Sequence, residues 1–192
     1  GWWFWRVSLV QDGTENPAAT LRVQSVSAPA LLIYAITVTV AAFDLLMSLD
    51  PRWFSTIFGV YVFAGAVIGF FASMVLIVAG LQKRGYLTAS VTAEHYHDLG
   101  KWLFGFVFFW GYIAFSQYML IWYGNIPEET GWFFRRGCAM QAPNVWSYVI
   151  VLILVAHFMV PFVALLSREV KRRRHLLVFW AVWVLVMHWI DL

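Results

Sequence analysis

The chain has 192 residues, of which 62% are hydrophobic and 12% are charged, about half the charged fraction of an ordinary soluble domain. So few charged side chains cannot form the polar shell that a soluble core needs, which excludes a soluble globular protein. The formal charge of +3 comes from basic residues that flank apolar segments, which indicates membrane topology rather than a nucleic-acid partner.

The sequence predicts an all-α, polytopic transmembrane helical bundle that forms a single integral membrane domain over residues 1–192. Five apolar segments reach the ~20 residues that a helix needs to cross a membrane. They lie at about 28–47, 54–81, 102–123, 145–166 and 176–192. An apolar stub at residues 1–5 looks like the end of an earlier helix, and the last segment stops without a cap. We therefore expect the chain to be a piece of a larger bundle.

The first two spans are predicted to form an antiparallel hairpin, because only the six residues 48–53 separate them. We expect Ser27 to cap the first span and Pro29 to lie in its first turn, where a missing N–H costs nothing. The second span carries a stripe of small residues, a pattern that permits close helix packing in lipid but is also common there by composition. The stripe consists of Gly65, Gly69 and Ser73.

Ten of the 13 Lys and Arg residues fall on one side if the connections alternate across the membrane. The positive-inside rule places that side in the cytoplasm, together with the N-terminal segment and the connections after the second and fourth spans. The hairpin at Asp50 and the connection at Glu128 then face outward. Aromatic residues at span ends are typical of membrane interfaces. They are Trp53, Trp102, Trp122, Tyr123, Trp132 and Trp146.

Ionisable side chains inside the spans are the candidate functional residues, because each is costly in hydrocarbon. Asp44 lies in the outer half of the first span, ~24 Å along a path of ~30 Å. Three polar residues fall near the same helix face: Tyr34, Thr37 and Ser48. This track predicts a proton path, and the alternative is that Asp44 braces the hairpin.

The fourth and fifth spans carry His157, His188 and Asp191. His188 and Asp191 share one face at i, i+3, where the pair either passes protons or braces two helices. His157 precedes Pro161 by four residues, which frees its carbonyl and predicts a kink beside a hydrated cavity. Residue counting places His157 and His188 at depths of ~12 and ~18 Å, which argues against shared haem ligation.

A polar cluster precedes the third span, within the connection predicted at residues 82–101. It contains Glu94, His95, His97 and Asp98. These are metal-ligand residue types, but the spacing is not that of HExxH, and solvated polar residues are expected beside a membrane. We interpret them as a cytoplasmic mouth that gathers protons, or as a docking site for a partner. We predict no metal site and no catalytic residue.

Several segments resemble the membrane subunits of bacterial alternative complex III, most of all the ActF-type subunit, which is distantly related to the membrane anchors of polysulfide reductase. The matching segments are FDLLMSLDP (43–51), STIFGVY (55–61), EHYHDLGK (94–101), YIAFSQY (112–118), PEET (127–130) and MHWID (187–191). The resemblance implies a ten-helix subunit of a quinol:cytochrome c oxidoreductase in the bacterial inner (cytoplasmic) membrane.

The resemblance further implies partners: a multihaem cytochrome c, an iron–sulfur subunit and a paralogous membrane subunit, all in contact with lipid and the quinol pool. Haem c and iron–sulfur clusters are expected in those partners, since the single cysteine, Cys138, supports none here. This chain is then expected to be a scaffold with a proton path, without a redox centre or catalysis of its own. The path would use Asp44, His157, His188 and Asp191, and quinone binding by this chain stays open.

Two other functions fit the same composition. A secondary transporter would use the kinked fourth span and the polar fifth span as a substrate site, and it would show an inverted repeat that the sequence does not make evident. A purely structural anchor would organise other subunits of a redox complex, and its buried acids would serve as braces between helices.

Overall fold

A computed structural model describes residues 1–13, 17–137 and 144–192, and these residues form an all-helical bundle. The α-helices are α1 (Trp2–Gly13), α2 (Pro17–Leu45), α3 (Phe58–Lys83), α4 (Ala93–Gly124), α5 (Pro127–Arg135), α6 (Val145–Leu152), α7 (Val160–Leu166), α8 (Arg168–Arg172) and α9 (Arg174–Asp191). A 3₁₀ turn, Met47–Leu49, follows α2, and a π-helical segment, Ile153–Met159, joins α6 to α7.

Five helical stretches are long and apolar enough to cross a membrane, which confirms the predicted five-span bundle. They are Pro17–Leu49, Phe58–Lys83, Ala93–Gly124, Val145–Leu166 and Arg174–Asp191. Large apolar side chains remain exposed along them, among them Leu32, Ile36 and Phe70. A soluble protein rarely exposes so much apolar surface, whereas a lipid-facing helix requires it. The chain is thus a multi-pass membrane protein.

The start of the first span is earlier than predicted, and the assignment of Ser27 as its cap is wrong. Helix α2 begins at Pro17, so Ser27 and Pro29 both lie inside it. The Ser27 hydroxyl donates a hydrogen bond to the Val23 carbonyl at 2.7 Å, back into the helix. Membrane helices tolerate an internal proline because nearby groups satisfy the backbone that it leaves free.

The polar residues placed in the connection before the third span also belong to a helix. Helix α4 begins at Ala93, with Thr92 as its N-cap, and a capping box links Thr92 to His95. The Thr92 backbone N–H donates to His95 Nδ1 at 3.1 Å. Helix α5 similarly occupies part of the next connection, with Pro127 in its first turn. The apolar run marks only the middle of each helix. The helix itself extends into the polar sequence on either side, because capping residues stabilise its ends there.

Helix α3 lies at the centre of the bundle and packs against α2, α4 and α9. Its buried residues recur every three or four positions and so form one face. That face meets matching apolar residues of α4, α7 and α9. The shared core contains Ala64, Ile68, Ala72 and Val75 of α3, Leu103, Val107 and Trp110 of α4, Leu165 of α7, and Leu177, Ala181 and Val184 of α9.

Helix α2 is peripheral, and Ala42 is its one buried residue among those that the structure describes. It reaches α3 closely at Gly59, where an added Cβ would lie 2.4 Å from Thr39 Cγ2. Real Cβ atoms do not approach other atoms so closely, so the contact between these two helices depends on the missing side chain. Gly59 therefore sets how tightly the first span packs on the second.

We expect Gly59→Ala to destabilise the protein by ~1–3 kcal/mol, because the new methyl group must push Thr39 and α2 outward. The matched control is Gly105→Ala on α4, where an added Cβ meets nothing within 4 Å. Both changes replace a helical glycine by alanine, which by itself does not lower stability, so a loss confined to Gly59→Ala reports packing. Thermal unfolding in detergent measures it, and equal midpoints for the two variants would contradict the close contact.

Candidate functional site

A cluster of titratable side chains lies where α3, the π segment and α9 meet. We call it the histidine–aspartate cluster, and its members are Tyr61, His157, His188 and Asp191. The His157 and His188 ring centroids are 5.6 Å apart, and His188 Nδ1 lies 3.7 Å from Asp191 Oδ2. The Tyr61 hydroxyl donates a short hydrogen bond to Asp191 Oδ1. His157 is fully buried, and the side chains of His188 and Asp191 are 12% and 5% exposed.

The fifth span delivers its two members as a pair on one face of α9. Ala181 and Val184 share that face and are fully buried in the core, so the face points into the bundle. Because these neighbours are apolar, a polar partner must come from another helix. Tyr61 of α3 is that partner for Asp191.

The glycine stripe of α3 makes room for the imidazole of His188. A Cβ added at Gly65 would lie 2.3 Å from His188 Cε1, whereas one added at Gly69 would lie 3.8 Å from His188 Cδ2. The predicted close packing is therefore present at Gly65, where it admits a side chain from α9. Tyr61 and Gly65 are one helical turn apart, so the same face of α3 provides both the hydroxyl and the space.

The π segment turns His157 into the bundle. Its wider turns pair the Val160 N–H with the Val155 carbonyl, five residues back. The Ala156 carbonyl thereby loses its α-helical donor, and Pro161 has no N–H to offer its neighbours. The Trp183 indole N–H of α9 donates to the Ala156 carbonyl at 2.8 Å. A side chain of the fifth span thus satisfies the carbonyl that the π segment frees, which is that of Ala156; the predicted role of the His157 carbonyl beside a hydrated cavity stays a prediction.

Residue counting places the two histidines at different depths, and the structure places their ring centroids 5.6 Å apart. Counting residues assumes straight helices perpendicular to the membrane, and neither tilt nor a π segment obeys that assumption. The inferred depths therefore do not by themselves exclude shared haem ligation. However, α9 packs directly on the π segment, and the Trp110 ring lies 4.2 Å from the His157 ring. This packing suits a small ligand better than a porphyrin.

Four polar atoms of the histidine–aspartate cluster are buried without a hydrogen-bond partner in the described protein. They are His157 Nδ1, His157 Nε2, His188 Nδ1 and Asp191 Oδ2. Leaving such an atom unpaired costs ~1–3 kcal/mol, and more when it is charged. Four such atoms in one place indicate a site that exchanges protons or binds a ligand.

The predicted track on the first span lies elsewhere, on the exposed side of α2. Asp44, Thr37, Ser48 and Tyr34 are all exposed. The Thr37 hydroxyl donates to the Ile33 carbonyl at 2.8 Å, and the Ser48 hydroxyl donates to the Asp44 carbonyl. Thr37 and Asp44 line a shallow outer groove. The structure does not bring Asp44 into contact with the histidine–aspartate cluster, so its part in a proton path stays a prediction.

The predicted cytoplasmic mouth lies at the first turns of α4. Glu94 forms an ion pair with Arg172 of α8, and Lys101 Nζ lies 2.7 Å from Asp98. His97 Nδ1 is 4.0 Å from Glu94, while His95 caps the helix. Exposed pairs of this kind contribute little to stability. The pair of Glu94 with Arg172 links α4 to α8, the other two pairs lie within α4, and a role in gathering protons stays a prediction.

The mouth and the histidine–aspartate cluster lie at opposite ends of α3. The Tyr96 hydroxyl of α4 donates to Gln82 at one end of α3, at 2.8 Å. Tyr61 stands 21 residues earlier, which is ~30 Å along a helix. The apolar core lies between them. No polar chain joins the two sites within the described residues.

Sequence reasoning missed Tyr61 as a member of the site and Trp110 as a residue that packs against it. Tyr61 left a signal, because it precedes Gly65 and Gly69 by whole helical turns and so shares their close-packed face. A hydroxyl on such a face meets whatever packs there. Trp110 left none, since a tryptophan within an apolar run is ordinary.

An aromatic groove lies between the end of α4 and α5, with a volume of about 410 Å³. Tyr118, Trp122 and Phe133 contribute to its walls, and Thr130 adds a buried hydroxyl. That hydroxyl donates to the Ile126 carbonyl at 3.2 Å, so it is already engaged. The groove is lined mainly by aromatic and aliphatic side chains and gathers no titratable cluster, which makes it a weaker candidate than the histidine–aspartate cluster.

No protein-family model matches this sequence, and no curated protein matches it.

We expect Tyr61→Phe to destabilise the protein by ~1–3 kcal/mol, because it removes the donor to the Asp191 carboxylate and leaves that group without a partner. The matched control, Tyr148→Phe, removes a hydroxyl from a tyrosine that is 71% exposed. Chemical unfolding in detergent, followed by tryptophan fluorescence, gives both values. Similar stabilities for the two variants would contradict a strong bond between Tyr61 and Asp191.

Proposed function

We propose that the chain is an integral membrane subunit of a quinol-oxidising electron-transfer complex, in which the histidine–aspartate cluster forms part of a proton path. The observation that supports this proposal is the cluster itself. Side chains that exchange protons are gathered from three elements inside an otherwise apolar bundle. Ionisable groups in that position are costly, and they mark proton or ion pathways in membrane proteins.

The spacing of the cluster suits stepwise proton transfer. One ring nitrogen each of His157 and His188 and one carboxylate oxygen of Asp191 all lie within 4.8 Å of one another. That separation is longer than a direct hydrogen bond, and one water molecule placed between two of these atoms could span it. An imidazole ring has two nitrogens and can accept a proton on one while it releases a proton from the other, which makes the two histidines suitable carriers. Tyr61 extends the group to α3 through its bond with Asp191.

The geometry favours a half-channel over a complete path. Tyr61 is near the start of α3, which directly follows the hairpin at Asp50, on the side that we predict to be outward. The core between the cluster and the far end of α3 is apolar, including Ile68, Ala72 and Val75. A proton crossing the whole membrane would therefore need groups from another chain, or from residues beyond this one.

The electron-transfer part of the proposal follows from the resemblance to alternative complex III membrane subunits. Quinol oxidation releases protons together with electrons, so a proton path beside a quinol-oxidising complex has a chemical purpose. Haem c and iron–sulfur clusters would belong to the partner subunits, with this chain as scaffold. Whether the chain itself contacts quinol stays open in this proposal.

In the reconstituted complex, we expect Asp191→Asn to lower the number of protons moved per electron, because the amide cannot carry a proton. Asp12→Asn is the control, because Asp12 is an exposed acid on α1, outside the cluster, and this change should leave that ratio unchanged. Asp44→Asn tests whether the path continues along α2. Proton release and acceptor reduction are recorded together. An unchanged ratio in Asp191→Asn would leave only a structural anchor.

Purification of the intact assembly tests the partners. The proposal expects this chain to co-migrate with a multihaem cytochrome c on a native gel, visible by haem absorption. A chain that purifies alone and moves a solute in vesicles would instead favour a secondary transporter.

A further inference from the structure

We infer that the histidine–aspartate cluster is a binding site for a divalent first-row transition-metal ion. The ligands would be one imidazole nitrogen each from His157 and His188, and one carboxylate oxygen from Asp191. These donor atoms lie within 4.8 Å of one another. This inference goes beyond the proposed function and does not depend on whether protons pass through the cluster.

The burial of the donor atoms favours a ligand over mere proximity. His157 is fully buried, and neither of its ring nitrogens has a partner in the described protein. His188 Nδ1 and Asp191 Oδ2 are likewise buried without a hydrogen bond, although they lie 3.7 Å from each other. A metal ion satisfies several lone pairs at once, which a single side-chain donor cannot do.

The distances lie within reach of coordination. Metal–ligand bonds of ~2.0–2.2 Å place the donor atoms of one ion about 3–4 Å apart. The three atoms here must close by about 1 Å or slightly more, which small side-chain rotations on fixed helices provide. His188 and Asp191 are already i, i+3 on one face, so only His157 comes from a distant element.

The donor set also selects the kind of ion. Two imidazoles and one carboxylate suit Zn²⁺, Fe²⁺ or Co²⁺, whereas Mg²⁺ and Ca²⁺ prefer oxygen ligands alone. Three protein ligands leave at least one coordination position open. One carboxylate balances one of the two charges of the ion, so a bound hydroxide would balance the other.

Neighbouring residues orient the ligands as an outer shell should. Tyr61 bonds to Asp191 Oδ1, which leaves Oδ2 directed at His188. Gly65 provides the space for the His188 ring. The Trp110 ring packs 4.2 Å from His157 and limits its rotation. A metal ion and a proton compete for the same lone pairs, so the metal-bound state and the protonated state of the cluster exclude each other.

The test uses the intact protein, purified in detergent with a tag that contains no histidine and stripped with a chelator. CoCl₂ is added as the probe, and bound metal is read by mass spectrometry and by visible d–d absorption. We expect one Co²⁺ per chain, displaced by Zn²⁺ and unaffected by excess Mg²⁺. We expect Asp191→Asn and His157→Gln each to weaken binding at least tenfold.

The control removes the other three of the five histidines together, as His95→Gln/His97→Gln/His175→Gln. It should retain one Co²⁺ per chain. Asp191→Asn is nearly isosteric, and its unfolding midpoint without metal shows whether the fold persists if His157→Gln fails to fold. No bound ion in the wild type, or binding lost in the control and kept in Asp191→Asn, would overturn the inference. Metal binding with an unchanged proton ratio in Asp191→Asn would overturn the proposed function alone.

Discussion

A polar atom inside hydrocarbon has no water to pair with, and this constraint acts on the backbone and on the site alike. It requires helices for the five spans, where every turn satisfies its own carbonyls. Where the π segment breaks that pattern, Trp183 reaches across from α9 to the Ala156 carbonyl. Where α9 carries a carboxylate inward, Tyr61 of α3 meets it. The atoms that remain unpaired in the described protein are concentrated at the histidine–aspartate cluster, apart from two tryptophan nitrogens. That concentration is the reason to assign function there.

The five spans could be predicted because ~20 consecutive apolar residues have few other uses in a chain of this composition. Their ends could not, since hydropathy follows side chains while helices end where the backbone loses its hydrogen bonds. At Thr92 a capping box begins α4 within polar sequence, well before the apolar run. At Pro17 the first long helix similarly begins ahead of the apolar segment that revealed it. In both cases the predicted helix was too short, because its polar first turns were assigned to the segment before it.

The site was predictable only as far as local spacing reaches. The pairing of His188 with Asp191 follows from i, i+3 geometry within one helix. The approach of His157 does not, because it depends on helix tilt and on a π segment that residue counting ignores. Tyr61 lies on the glycine-bearing face of α3, a relation visible in sequence once that face is known to meet α9. The exposure of Asp44 depends on which neighbours α2 has, and spacing along one helix carries no information about them.

The π segment has a consequence for how the fourth span tolerates change. An α-helix turns by 100° per residue. One extra residue within a widened turn therefore changes the direction in which the faces before it point, relative to the faces after it. The π segment therefore fixes the rotation of α6 relative to α7. The exposed face of α6 and the buried face of α7, which carries Pro161 and Leu165, depend on that offset. Loss of one residue there would rotate α6 by about a quarter turn against its surroundings, while α7 kept its place. Insertions and deletions in this short stretch should accordingly be far more disruptive than substitutions on its lipid-facing side.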